Sequence, residues 1–424
     1  MSGATRPPRV GAFLYPWDIA GDPDAPYRLR DLGIQSVALA AAYHSVRALT
    51  PRHPRHRIVT AEHAAVYYPP DEARWRGRAL RPYRQSWVPQ RDPYGVAARQ
   101  LAAAGLAVHS WVVLAHNSRM GLEHPQTVVR NAYGDRYPWA PCIARPEAVE
   151  YCATLAAEAA VRADTAGTEL ESCGWYGLAH LHAHDKISGV ELGGAGQYLM
   201  SLCFCPRCES AYTAAGAPGT AAAVRAALEP LWRANGALDG SGEARGGRER
   251  SEWEQVERLL GPKLARLTLA HRTAATRAFQ AACIAAVRAA AGAGFRILVH
   301  ADPVSHRSGP NPGVEADWLL GAGGADGLVL PHAAIEQVGR LGQLEQVGQG
   351  VLVANLPIVA GLGQRPDLVA ELGAKAVAAG ATELRLHHAG IASDTDLATV
   401  ADQLAAFRRS TGAPPPAVKD AASP

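Results

Sequence analysis

The chain lacks an apolar stretch ahead of its first strand-like run. Met1-Ser2-Gly3-Ala4-Thr5-Arg6-Pro7-Pro8 is polar and proline-rich, which argues against a secretory signal. No apolar segment reaches the roughly 18 residues needed to span a bilayer, so no membrane partner is expected. Charge of one sign is scarce as well: 42 Lys and Arg against 39 Asp and Glu leave a net +3. That balance offers no electrostatic case for nucleic acid. The one basic run, Pro51-Arg52-His53-Pro54-Arg55-His56-Arg57, is broken by proline and has no aromatic rhythm, and it reads as a solvated loop. A disulfide framework is excluded too. The seven cysteines are an odd number, and three crowd into Cys203-Phe204-Cys205-Pro206-Arg207-Cys208, so reduced thiols and a cytoplasmic setting are expected.

What is present is an alternation of short aliphatic runs with Ala-rich segments of helical period, the mark of βαβ units. The strand-like runs are Val10–Tyr15, Ile34–Tyr43, Leu106–Leu114, Thr168–Ser172, Phe295–Ala301, Gly327–Pro331, Val351–Pro357 and Glu383–His388. A long Pro/Arg/Tyr-rich connection follows the second, to about Pro93. After the fourth, an insertion at about 213–250 has a Gly-rich centre, and a long helix from about Ser251 to Ala291 is interrupted at Gly261-Pro262. Eight parallel crossovers form either an open doubly wound sheet or a closed barrel. The open sheet would bring a Gly-rich phosphate turn after its first strand, whereas here Tyr15-Pro16-Trp17-Asp18 follows. The expected class is therefore α/β, a (β/α)8 TIM barrel with a long loop after strand 2 and a helical insertion after strand 4. One barrel is expected over 9–410, between a disordered N-terminus (1–8) and a disordered tail (411–424).

In such barrels chemistry sits at the C-terminal strand ends, and here every end is polar. They carry Tyr15 with Trp17 and Asp18, Tyr43-His44, His116-Asn117, Glu169 and Glu171, His300 with Asp302, His332, Asn355, and His387-His388. Period-2 alternation turns Glu169 and Glu171 to one face, inward, with Leu170 outward. Glu171 then reaches the pocket, while Glu169 sits a layer deeper beside an inward arginine such as Arg296 or Arg385. The same alternation brings Asp302 to the inward side just past strand five. Two carboxylates across a barrel mouth suit glycoside hydrolysis, one as acid for the leaving oxygen and one as nucleophile or base. The segment from Trp175-Tyr176 through His180, His182 and His184 suits sugar contacts, or alternatively a metal.

The Cys-x-Cys-x-x-Cys motif at Cys203, Cys205 and Cys208 supplies three thiolates, and a structural zinc needs a fourth ligand. Cys142 is the first choice, with Cys173 or a nearby His as alternatives. A barrel with a glutamate ending strand four, followed by this motif, resembles the zinc-containing bacterial β-galactosidases. The stretch from His116-Asn117 through Asn131-Ala132-Tyr133-Gly134-Asp135 to Cys142 and Pro146 also resembles uncharacterised glycosyl-hydrolase-like barrels. The resemblance covers about residues 106–212. It implies Cys142 as the fourth zinc ligand, Glu171 as acid/base, and a nucleophilic glutamate ending strand seven. Strand seven departs from this, since Val351-Leu-Val-Ala-Asn355-Leu-Pro357 has no acid.

The expected function is hydrolysis of a small glycoside or oligosaccharide, with Glu171 and Asp302 as the catalytic pair. Tyr15, Trp17, Asn117, Glu169, Trp175, His182, His184, His300 and His387 are the candidate substrate contacts. The rival readings are a metal-dependent sugar isomerase, epimerase or lyase, and a carbohydrate-binding barrel without chemistry. The expected partner is a small carbohydrate, and the sequence leaves a homo-oligomer open.

Overall fold

The computed structural model describes residues 8–179, 185–233, 245–334 and 350–411. The expected terminal tails, the centre of the insertion, and His182 and His184 lie outside, or almost wholly outside, the described residues. Eight strands pair in parallel in chain order. They are β1 (Arg9–Leu14), β2 (Ser36–Tyr43), β3 (Ala107–Val113), β4 (Gly167–Glu171), β5 (Arg296–His300), β6 (Gly327–Pro331), β7 (Val351–Pro357) and β8 (Glu383–His387). β1 pairs with both β2 and β8, so the sheet closes into a (β/α)8 barrel. The runs are buried on both faces, which is why β2 reads Ser-Val-Ala-Leu-Ala-Ala-Ala-Tyr without a polar side.

Two segments, the connections after β2 and β3, differ from the sequence reading. The connection after β2 is no bare loop: it folds an antiparallel hairpin, Val46–Leu49 with Ile58–Ala61, and a short helix, Glu72–Trp75. Arg52, at the hairpin turn, is not solvated. It donates to the carbonyls of Ala389 (2.8 Å) and Gly390 (3.0 Å) beyond β8, so its charge serves to dock the hairpin on the barrel. A second hairpin, Val128–Arg130 with Arg136–Pro141, follows β3 and delivers Cys142. The insertion after β4 is built from helices Gly193–Met200, Pro206–Ala214, Thr220–Arg233 and Arg245–Leu260. Gly261, at φ 81°, then separates the last of these from the 30-residue helix Pro262–Ala291.

The barrel interior holds a layer of buried charge. Arg385 on β8 is fully buried and donates to Glu169 Oε1 through Nε (3.1 Å) and Nη2 (2.9 Å), and its Nη1 lies 2.9 Å from Glu383. Arg296 pairs with Glu383 from β5. So of the two arginines named for Glu169, Arg385 is the partner. Two glycines make room for these side chains. A Cβ on Gly11 would stand 2.8 Å from Arg385 Nη1 and 2.6 Å from Ser36 Oγ, and one on Gly167 would stand 2.9 Å from the His109 ring. Burial alone would raise the Glu169 carboxyl. The Arg385 guanidinium outweighs it, helped by His109 and His300, and holds the group well below the ordinary carboxylate range.

Removing one partner of a buried ion pair strands the other in low dielectric. R385M is therefore expected to cost roughly 3–5 kcal/mol in unfolding free energy, read as a lower guanidinium midpoint with an unchanged m-value. An unchanged midpoint would show that the layer carries no such weight.

Candidate active site

At the C-terminal ends of the strands the barrel opens into a cavity of about 1210 Å3. Every strand or the loop after it contributes: Phe13 and Tyr15, Tyr43 and His44, Trp111, Glu171 and Tyr176, His300, His332, Asn355, and His387 with His388. Glu171 ends β4 and lies on the floor. Its Oε2 accepts from the Trp111 indole Nε1 at 2.6 Å, and His300 Nδ1 lies 4.0 Å from the same oxygen. His300 Nε2 is in turn 3.6 Å from Glu169 Oε2, so the imidazole stands between the two glutamates.

An aromatic wall surrounds this carboxylate. The Trp111 ring lies 4.7 Å from Phe13 and 4.6 Å from Tyr43, and Tyr15 is 5.0 Å from Tyr43. The Tyr15 hydroxyl is 3.3 Å from His388 Nδ1. Burial, with His300 and His332 adding to it, lowers His387 to about 4; burial likewise holds His388 well below its ordinary value. Both rings are neutral near pH 7 and present hydrogen-bonding edges without charge. Ser172 and His388 have φ of 53° and 57°. Backbone of this kind costs of order 1–3 kcal/mol in a non-glycine residue, and here it falls directly after β4 and β8, beside the cavity.

Of the candidate residues, Glu171, Tyr15, His300 and His387 come together in the cavity. Glu169 is a layer below, closed off by Arg385. Trp17 stacks behind Tyr15 at 4.5 Å, and Trp175 is buried with its indole donating to Arg272 O at 3.0 Å. Asn117 caps helix Ser118–Glu123 by accepting from Met120 N at 3.0 Å. Asp302 does not line the cavity. Its Oδ1 accepts from Val304 N at 2.9 Å, and its own N–H donates to Pro312 O at 3.0 Å, so the residue organises the turn after β5. Sequence reasoning misses Trp111, although it alternates with inward His109 on β3 and period two points it inward. Tyr43, His44 and His388 were visible as strand ends but were not selected.

A second cluster sits beside the site. The Sγ atoms of Cys142, Cys203, Cys205 and Cys208 lie within 4.8 Å of one another, all buried. Cys142 Sγ is 3.6 Å from Cys203, 3.8 Å from Cys205 and 3.8 Å from Cys208. Four sulfurs at a metal–sulfur bond of about 2.3 Å stand about 3.8 Å apart in a tetrahedron, so the set fits a metal ion. The cluster joins the 128–141 hairpin to the insertion. That hairpin carries Trp139, whose indole donates to Gly177 O at 2.7 Å and whose carbonyl lies 2.9 Å from His116 Nδ1. His116 stacks on Tyr176 at 4.4 Å, so the cluster braces one cavity wall.

No protein-family model matches the chain, and no curated protein matches its sequence. Among solved structures, the glycoside hydrolase domain of PgaB (BpsB) from Bordetella bronchiseptica is similar over 96% of this chain and 99% of that one, at a TM-score of 0.55 and 15% identity. What the two share is the (β/α)8 barrel. α-L-Fucosidase isoenzyme 2 from Paenibacillus thiaminolyticus is similar at a TM-score of 0.52 and 12% identity, over 97% of this chain, which spans 50% of that enzyme. At these identities the likeness concerns architecture. No helix among the described residues is long and apolar enough to cross a membrane.

One acid near the site has an unusual titration. Asp18 accepts from Tyr15 N at 2.8 Å, and burial pushes its carboxyl up to about 7 against that bond and the Arg52 charge. The native state therefore prefers the protonated acid. Its stabilising preference is complete below the unfolded pKa of 3.8 and is lost as pH rises through about 7. D18N removes this loss. It is expected to be more stable than wild type at pH 8, by on the order of 2–4 kcal/mol, and equal near pH 4. Parallel stability curves from pH 4 to 8 would refute this.

Proposed function

We propose that the protein is a glycoside hydrolase acting on a small glycoside or oligosaccharide, with Glu171 as general acid/base. The observation that carries this reading is the seat of Glu171, a carboxylate on the floor of a ring-lined cavity at the catalytic end of a glycoside-hydrolase-like barrel. Aromatic rings suit the apolar faces of sugars. His300, His387, His388 and Asn355 offer edges for hydroxyl groups, and Glu171 is held by an indole N–H that fixes its orientation. Asp302 was the sequence's choice for the second carboxylate. It lies in the turn after β5, just beyond the residues that line the cavity.

Zinc is the proposed occupant of the four-cysteine site, in a structural role. Its closed, all-thiolate donor set leaves no position for substrate. When bound, the ion would cross-link the 128–141 hairpin to the insertion. Four reduced cysteines suit a cytoplasmic setting, and the partner expected is a small carbohydrate.

Hydrolysis of a panel of aryl glycosides and oligosaccharides by wild type and E171Q tests the first claim. Loss of a positioned acid/base lowers kcat by about 10²–10⁴-fold, so E171Q should fall by that factor on any accepted sugar. Equal turnover in the two proteins would sink the assignment. Elemental analysis tests the second: one zinc per chain is expected in the wild type, and none in C205S.

A further inference from the structure

Arg272 lies on helix Pro262–Ala291 and is 3% exposed. None of its three side-chain nitrogens has a hydrogen-bond partner. Its guanidinium carbon stands 5.1 Å from the Tyr198 ring centroid and 5.7 Å from that of Trp175. Such rings attract a cation, but they do not neutralise it. Arginine stays protonated in proteins, and a buried charge without an opposite charge is strongly unfavourable. The site therefore calls for an anion, and no carboxylate among the described residues pairs with Arg272.

The four-cysteine cluster can supply one. Tyr212 lies on helix Pro206–Ala214, which begins inside the cysteine motif, and its ring is 4.8 Å from that of His271, the residue before Arg272. Phe204, between two of the cysteines, is 5.5 Å from Tyr212. His271 Nε2 is likewise buried and without a partner. Burial lowers the Arg272 guanidinium, and Tyr198, Tyr212 and Cys203 are near enough to act on it electrostatically. A divalent metal entering four thiols breaks four S–H bonds, releases four protons to solvent and forms four metal–sulfur bonds. The product carries a net charge of −2, from +2 and four times −1. Near the cluster, Arg145 already pairs with Glu147 at 3.1 Å, which leaves Arg272 as a buried cation without a carboxylate partner among the described residues.

We propose that Arg272 is the counter-ion of a dianionic metal–tetrathiolate centre. This rests on the zinc reading above. The same residue also ties the centre to the active site: its carbonyl accepts from the Trp175 indole, in the segment between Glu171 and Tyr176, both of which line the cavity. Arg272 is thus a positioning residue, acting on the metal by charge and on the loop after β4 by packing.

A double comparison tests it: wild type and R272M, each with zinc and after chelation under reducing conditions, followed by thermal melting and by zinc release to a chromogenic chelator. Loss of an outer partner of a metal site typically weakens binding 10–100-fold. R272M should release zinc at least tenfold more readily, yet melt no lower than wild type once zinc is removed from both. R272K, which keeps the charge, should retain zinc within about threefold of wild type. If R272M lowers the melting temperature equally with and without zinc, or holds zinc as firmly as wild type, Arg272 is only a packing residue and the proposal fails. If R272M does not fold, R272K decides: a tenfold loss of zinc there would show that charge is not what matters. A wild-type chain that takes up no zinc overturns the metal reading itself, a distinct result from zinc retention unchanged by the substitution.

Discussion

The buried ion layer of Glu169, Arg385, Glu383 and Arg296 is the constraint on which the site depends. A fully buried guanidinium is tolerable only where carboxylates meet it at hydrogen-bonding distance, and two strands on opposite sides of the barrel must hold their register for Arg385 to reach Glu169. The layer also consumes space. Gly11 and Gly167 give up side chains so that Arg385 and His109 can enter the lumen. With the charge layer in place, His300 rests on Glu169 from above and presents its other nitrogen toward Glu171. The chemistry-bearing floor is thus built on a polar plug and not on an aliphatic one.

Above that floor, rigidity comes from outside the barrel. The hairpin after β2 is docked by Arg52 on the carbonyls beyond β8, which walls one side of the cavity. The hairpin after β3 is held to the insertion at the four cysteines and supports His116 and Tyr176 on another side. Both devices satisfy buried polar groups while positioning loops that carry no regular pairing with the barrel. A small interior layer of charge and two external clamps together hold aromatic rings around a single glutamate.

Much of the barrel was legible beforehand. Strands such as Val351–Pro357 are short β-branched runs bounded by helix or turn signals, and parallel strands need no long-range information to be recognised as such. The inward direction of Glu169, Glu171 and His300 follows from period two alone. Trp111 was legible by the same rule and was passed over, because an apolar-looking strand invites no search for function. The hairpins around 46–61 and 128–141 were not legible. Their pairing is antiparallel and local, but each strand is only three to six residues long, and the first pair is joined by a Pro/Arg-rich turn that reads as loop.

Asp302 marks the boundary of what alternation can say. Its parity points inward, yet the chain turns after His300 and Val304 N captures the carboxylate, so the face implied by the strand no longer applies once the strand has ended. The sequence by itself determined the βα rhythm, the inward parity of Glu171, and the presence of three cysteines spaced for a metal. Only the tertiary structure decided that Arg385 and not Arg296 takes Glu169, that Cys142 meets the three motif cysteines, and that Glu171 meets Trp111. Each of these joins residues far apart in the chain. Periodicity reports the direction of a side chain from its own strand, whereas a partner is chosen by distance across a closed barrel.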